Sequence, residues 1–270
     1  MGRTEYDPVR AKAVRKRTAM AALMIFVAVP ALIALSTVLD GGKYYMIISV
    51  GVVICCMLPF FMVFEKRKPK AREIVLVAMI SAITVAAHMF LHVTVPLQIG
   101  TAMVIVAGIA MGPEAGFLVG ALSRFVCNFY MGQGPWTPWQ MFSWGMIGFL
   151  SGLLYKAGIF GKIVNTEVNE KGKRQKPVRL CIFGFFAGFL FGWVMNLYHI
   201  IGYVSPITWQ AVLATYASSF YFDISHGICT ALILWLVGEH WIRKLLRIKK
   251  KFGLEGEYHH YTMPPAKPER

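Results

Sequence analysis

Arg124 and Asp223 each stand inside a long apolar run, where an ionised side chain is expensive. Near the middle of a bilayer an unpaired guanidinium costs at least ~3 kcal/mol, so such a group needs a partner or a polar cavity. The layout of the runs puts the two at similar depth, which predicts that they pair, and intramembrane ionisable residues of this kind typically line a functional cavity. Asn128 follows one turn after Arg124, on the same helix face. The intervening loop QGPWTPWQ offers Gln133, Trp136, Trp139 and Gln140, which join flat aromatic faces to amide groups on a backbone stiffened by two prolines. Asn196, His199 and Tyr203 repeat the theme further on. Together these residue types suit multipoint hydrogen bonding and stacking of a large neutral molecule in a pocket open to the outside. The competing reading of the loop is an interfacial tryptophan belt, which needs no ligand.

Covalent and nucleotide chemistry find little support. The sequence contains no GxxxxGK[ST], HExxH, GxSxG or CxxC pattern. His226 lies one turn below Asp223 without metal-ligand spacing around it, and His259 and His260 are adjacent in a polar tail. Cys55, Cys56, Cys127, Cys181 and Cys229 all fall in apolar segments and read as small buried hydrophobes. No enzyme, metal or cofactor is expected.

The elements that must position these residues are transmembrane helices. Of 270 residues 57% are hydrophobic, beyond what an ordinary soluble domain carries. The net charge of +15 does not indicate a nucleic-acid partner, because the basic residues punctuate apolar runs instead of forming a patch. The pattern predicts an all-α polytopic bundle of eight helices, at about 20–39, 44–64, 73–91, 99–111, 114–130, 138–155, 180–201 and 209–235, the last continuing into a basic end. Six Lys or Arg precede the first helix, five lie between the second and third, seven between the sixth and seventh, and eight follow the last; only Lys43 and Arg124 stand elsewhere. By the positive-inside rule both termini are cytoplasmic in a multi-pass cell-membrane protein, with anionic lipid as a further contact, and the turns near Asp40, Pro96, Gly132 and Tyr203 face outward. The fourth helix is too short to span unless protein caps its ends. Small residues recur every four positions at Gly112, Gly116 and Gly120, at Gly184, Gly188 and Gly192, and at Ala78, Ala82 and Ala86, as in helices that approach closely in lipid.

The passage GPEAGFLVGALSRFVCNFYMGQGPWTPWQMFSWGMIGFLSG, residues 112–152, resembles the substrate-binding subunits (S components) of energy-coupling factor (ECF) transporters, in particular a branch associated with predicted cobalamin uptake. The resemblance extends over about residues 72–241 and reaches the preceding helix pair. It implies a six-helix core at 66–245, with a basic arm at 1–18, an additional helix pair at 19–65 and a polar tail at 246–270. It further implies that the chain captures a vitamin, cobalamin first, and delivers it by docking on a membrane coupling subunit served by two ABC-type ATPases. On that view cobalamin is cargo and not a cofactor, and Ala78, Ala82 and Ala86 become docking residues. Other readings are an S component for riboflavin or folate, a self-sufficient secondary transporter, which the lack of an internal repeat disfavours, and a membrane scaffold without a ligand.

Overall fold

The structure, a computed structural model, describes residues 71–94, 99–161 and 177–252, with Leu23 and Val27 as isolated positions. The basic arm, nearly all of the additional N-terminal helix pair and the tail after Phe252 lie outside the described residues, so the expected path is seen from its third helix onward. The described part is all-helical. Its elements are α1 (Ala71–Thr94), α2 (Ile99–Met111), α3 (Pro113–Met131), α4 (Trp136–Lys156), α5 (Val178–Tyr203), α6 (Trp209–Ile233) and α7 (Glu239–Lys251). A π-helical turn, Leu234–Gly238, joins α6 to α7 without a break. It shifts the phase of the buried stripe, so that Ile242, Leu245 and Lys249 still face the bundle after the sequence turns basic and amphipathic.

The short helix α2 is the centre of the bundle. Every residue from Gly100 to Met111 is buried, and α2 touches α1, α3, α4, α5, α6 and α7. A helix that is apolar all round has no face for water and belongs in a core. Its 13 residues cover about 20 Å, short of a ~30 Å hydrocarbon layer. Protein covers the C-terminal end: the buried Lys249 of α7 donates from Nζ to the carbonyl of Ala110 at 3.0 Å. An ammonium there satisfies an orphan helix carbonyl and opposes the negative end of the helix dipole. Lys249→Met should lower stability by about 1–3 kcal/mol, the usual cost of leaving a buried acceptor unmatched. Thermal melts in detergent check this, and an unchanged midpoint would mean that the carbonyl finds another donor.

A single residue, Gly112, turns α2 into α3. It has φ +102°, a region that only glycine enters cheaply, and Pro113 opens the new helix without wasting an amide. Glycine also lets three backbones meet. A Cβ on Gly148 of α4 would land on the Gly116 carbonyl of α3, and one on Gly116 would meet Cα of Gly108 in α2. The α5 row packs likewise inside the bundle, Gly188 against Gly227 and Gly192 against the Asp223 carboxylate of α6. Both glycine rows are therefore packing devices.

The alanine row differs. Ala78, Ala82 and Ala86 all lie on the exposed face of α1, beside Val75 and Met79. Elsewhere the exterior is strongly apolar, with Phe90, Phe129, Phe186, Trp193, Phe220 and Leu236 all exposed. Such a surface is compatible with lipid and not with water. By length and composition α1, α5 and the α6–α7 rod can each cross a membrane.

Candidate functional site

Between α3 and α4 the chain turns through Gly132–Pro135, and the polar residues gather beneath that turn. Gly132 has φ +103°. Thr137 pins the turn: its hydroxyl accepts from the Gly134 amide at 3.2 Å and from Asn128 Nδ2 at 2.9 Å. Gln133 reaches back to the Phe125 carbonyl at 3.1 Å, and Trp136 donates from Nε1 to the Gly132 carbonyl at 3.4 Å. Trp136 keeps 36% of its surface exposed, whereas Trp139 keeps only 4%. Of the two tryptophans, then, Trp136 presents a face at the turn and Trp139 packs inward, tilted against Tyr198 with ring centroids 6.1 Å apart.

Arg124 lies under this turn and is buried. Its Nε donates to Gln140 Oε1 at 2.9 Å, and the same oxygen accepts from Asn128 Nδ2 at 2.9 Å. Nη1 meets His88 Nε2 of α1 at 3.3 Å and Met131 Sδ at 4.0 Å. The guanidinium carbon sits 5.1 Å from the ring centroid of Trp144, which His88 contacts edge-on. This is a cation held by an amide, an imidazole, a thioether and an aromatic face.

The expected pairing of Arg124 with Asp223 is not formed. Arg124 is seven residues from the turn end of α3, about 10 Å, whereas Asp223 is fourteen residues into α6, about 21 Å. Those lengths are counted from different helix ends; what separates the two groups is that each is held by other partners. Asp223 instead accepts from Ser219 at 3.2 Å, and Asn196 donates to the same Ser219 at 2.7 Å, making a separate chain between α5 and α6. An ion pair joins Arg243 to Glu239 in α7, away from this site.

A third group occupies the turn end of α5. Tyr198 and Tyr203 share a hydrogen bond at 2.9 Å, and the exposed His199 stacks on Tyr203 at 5.7 Å. Deeper still, Thr101 of α2 and His226 of α6 are 2.8 Å apart and fully enclosed. The sequence-predicted residues thus fall into three sets. Arg124, Asn128 and Gln140 form one cluster under a turn that holds Gln133 and Trp136; Trp139, His199 and Tyr203 gather around Tyr198; Asn196 and Asp223 lie apart.

Several members of the site escape sequence reasoning. His88 and Trp144 come from other helices, and nothing local to Arg124 announces them. Thr137, Met131 and Ser219 are residues of ordinary type whose role depends on distance alone. A buried histidine in an apolar helix is the one signal that could have drawn attention, at His88. No group of three or more His, Cys, Asp or Glu side chains positioned to hold a metal occurs among the described residues. The arrangement can hold and orient a molecule through amides, an imidazole, a cation and aromatic faces.

A family model described as "ECF-type riboflavin transporter, S component" matches residues 68–239. No curated protein and no solved structure matches the chain.

Proposed function

We propose, from the premise that the chain belongs to the family of ECF-type transporter S components, that the cluster beneath the Gly132–Pro135 turn captures a vitamin from outside the cell and that α1 carries the bundle to its energy source. At the level of the family this is a non-enzymatic, membrane-integral, substrate-binding subunit of a vitamin importer. The observation that carries the finer reading is the set of buried Arg124 and Asn128 with half-buried Gln140, whose polar groups converge under a pinned turn in a largely apolar bundle. Such a set is costly unless it serves recognition or packing, and the exposed Trp136 beside it adds a stacking surface.

In this reading the turn faces outward and both termini are cytoplasmic. The additional helix pair at 19–65 flanks a six-helix core at 66–245. The partners are a membrane coupling subunit and two ABC-type ATPases, and the face of Ala78, Ala82 and Ala86 meets the coupling subunit. Cobalamin is the first substrate, because the 112–152 passage resembles that branch and a corrinoid brings many amides to Gln140, Asn128 and Gln133. Riboflavin is the second, favoured by the name of the matching family model and by the flat ring that Trp136 can stack.

A thermal-stability panel of cobalamin, cobinamide, riboflavin, folate, thiamin and biotin on the purified protein separates them. A ligand that binds only the folded state adds ~2.7 kcal/mol at a hundred times its dissociation constant, a readily visible shift. Stabilisation by corrinoids supports the first assignment and by riboflavin the second. Stabilisation by no vitamin would return the chain to the scaffold reading.

A further inference from the structure

Arg124 is a cation enclosed by neutral groups. Gln140, His88, Met131 and Trp144 surround it, and among the described residues no Asp or Glu lies within ion-pair distance. Its Nη2 forms no hydrogen bond, while Nε and Nη1 are both engaged. Only 7% of the residue is exposed, so water screens the charge poorly. Burying an ion without a counter-charge is the expensive case, and amides offset it only in part.

A second positive end lies at the same level. Because α2 is six residues shorter than α3 and its C-terminus adjoins the start of α3, its N-terminus stops about 9 Å short of the turn end, near the depth of Arg124. Contacts agree: Gly100, in the first turn of α2, lies against the Trp144 ring and His88, the two residues that also hold Arg124. First-turn amides have no acceptor within their own helix, and the dipole makes that end positive. A guanidinium and a helix N-terminus thus converge in the turn-side half of the bundle, while the Asp223 carboxylate is taken up by Ser219 and makes no ion pair with Arg124.

We infer that the captured molecule carries an oxyanion, as a phosphate ester or a carboxylate, which enters beside Arg124 and supplies the negative charge that none of the described residues places within ion-pair distance. This rests on the capture reading and narrows it, for the sequence alone suggests a neutral ligand. Gln140 acts beside it as a positioning residue, orienting the guanidinium through Nε.

The test uses ligand pairs that differ in the anion. Riboflavin is compared with riboflavin 5′-phosphate, and cobinamide with cobalamin, which adds a phosphodiester. Inorganic phosphate and acetate are titrated separately against chloride at matched ionic strength. In the unaltered protein the anionic member of whichever pair binds should do so at least about tenfold more tightly, as charge-assisted bonds to arginine do. Phosphate stabilising where acetate does not, or the reverse, identifies the kind of oxyanion. Arg124→Gln should erase the preference. Gln140→Glu should erase it too while raising the melting temperature, because a carboxylate placed on Nε pairs the cation internally; a merely structural arginine would not link those two changes. Gln140→Glu also keeps the test informative if Arg124→Gln does not fold.

Vitamin binding with no preference for the anionic member, or with a preference that survives both substitutions, overturns the inference and leaves vitamin capture standing. Arg124-dependent stabilisation by phosphate or acetate, with no vitamin bound, supports the oxyanion site and removes the vitamin reading. Response to none of these ligands overturns both.

Discussion

Gly148→Leu should yield no monodisperse protein. At this position the side chain would have to enter the space between the Gly116 backbone of α3 and Val104 of α2, two helices that also pack on each other. Overpacking a core typically costs 1–3 kcal/mol when side chains can give way, and more when only backbone stands in the way. Here the obstacle is a carbonyl inside a three-helix junction, so relief means separating α3 from α4, the pair that holds the turn and Arg124. Gly184→Ala is the control, since its Cβ would meet chiefly the flexible end of Leu234, which can rotate aside. Size-exclusion profiles and melts of the two variants should therefore diverge, with the Gly184 variant near the parent. A well-folded Gly148→Leu protein with the parent's melting temperature would show that the junction is looser than described.

Ala82→Phe should leave ligand binding intact and stop transport. Ala82 is exposed in the middle of the α1 row, far in sequence and in packing role from the turn cluster, and a phenyl ring there meets no neighbour within the bundle. It would instead prop apart any helix that relies on close backbone approach along Ala78, Ala82 and Ala86. Uptake by cells carrying the whole transporter should fall by more than about tenfold, because steric exclusion at a small-residue contact removes most of the interface, while affinity of the isolated subunit changes by less than about twofold. Normal uptake by Ala82→Phe would move the docking face elsewhere on the molecule.

Helix positions were readable in the sequence wherever proline or glycine brackets an apolar run. α2 is the clearest case, since Pro96, Gly112 and Pro113 confine it to Ile99–Met111 as expected. The last helix runs on to Lys251, well beyond Trp235, because a π turn re-phases its buried stripe and no periodicity rule anticipates that insertion. Arg124, Asn128 and Gln140 were legible as a cluster because 16 positions and one tight turn separate the outermost two. His88 lies 36 positions from Arg124 on a helix whose rotation only tertiary packing fixes, so no local pattern reveals the pair. Asp223 was expected to pair with Arg124, yet Ser219, one turn earlier on the same helix, takes its carboxylate. Gln133 was expected to offer its amide to a ligand, yet the local geometry gives it a backbone carbonyl eight residues back.

The bond between Lys249 and Ala110 also bears on the order of assembly in the cell. The two residues are 139 positions apart, and Lys249 leaves the ribosome only after α1 to α6 have been made. The central helix of the bundle therefore cannot reach its final seat until α7 has been made. Until α7 emerges, the C-terminal carbonyls of α2 must find temporary donors at the lipid boundary or within the insertion machinery. A chain cut before Lys249 would hold α1 to α6 and still lack the clasp that closes α2.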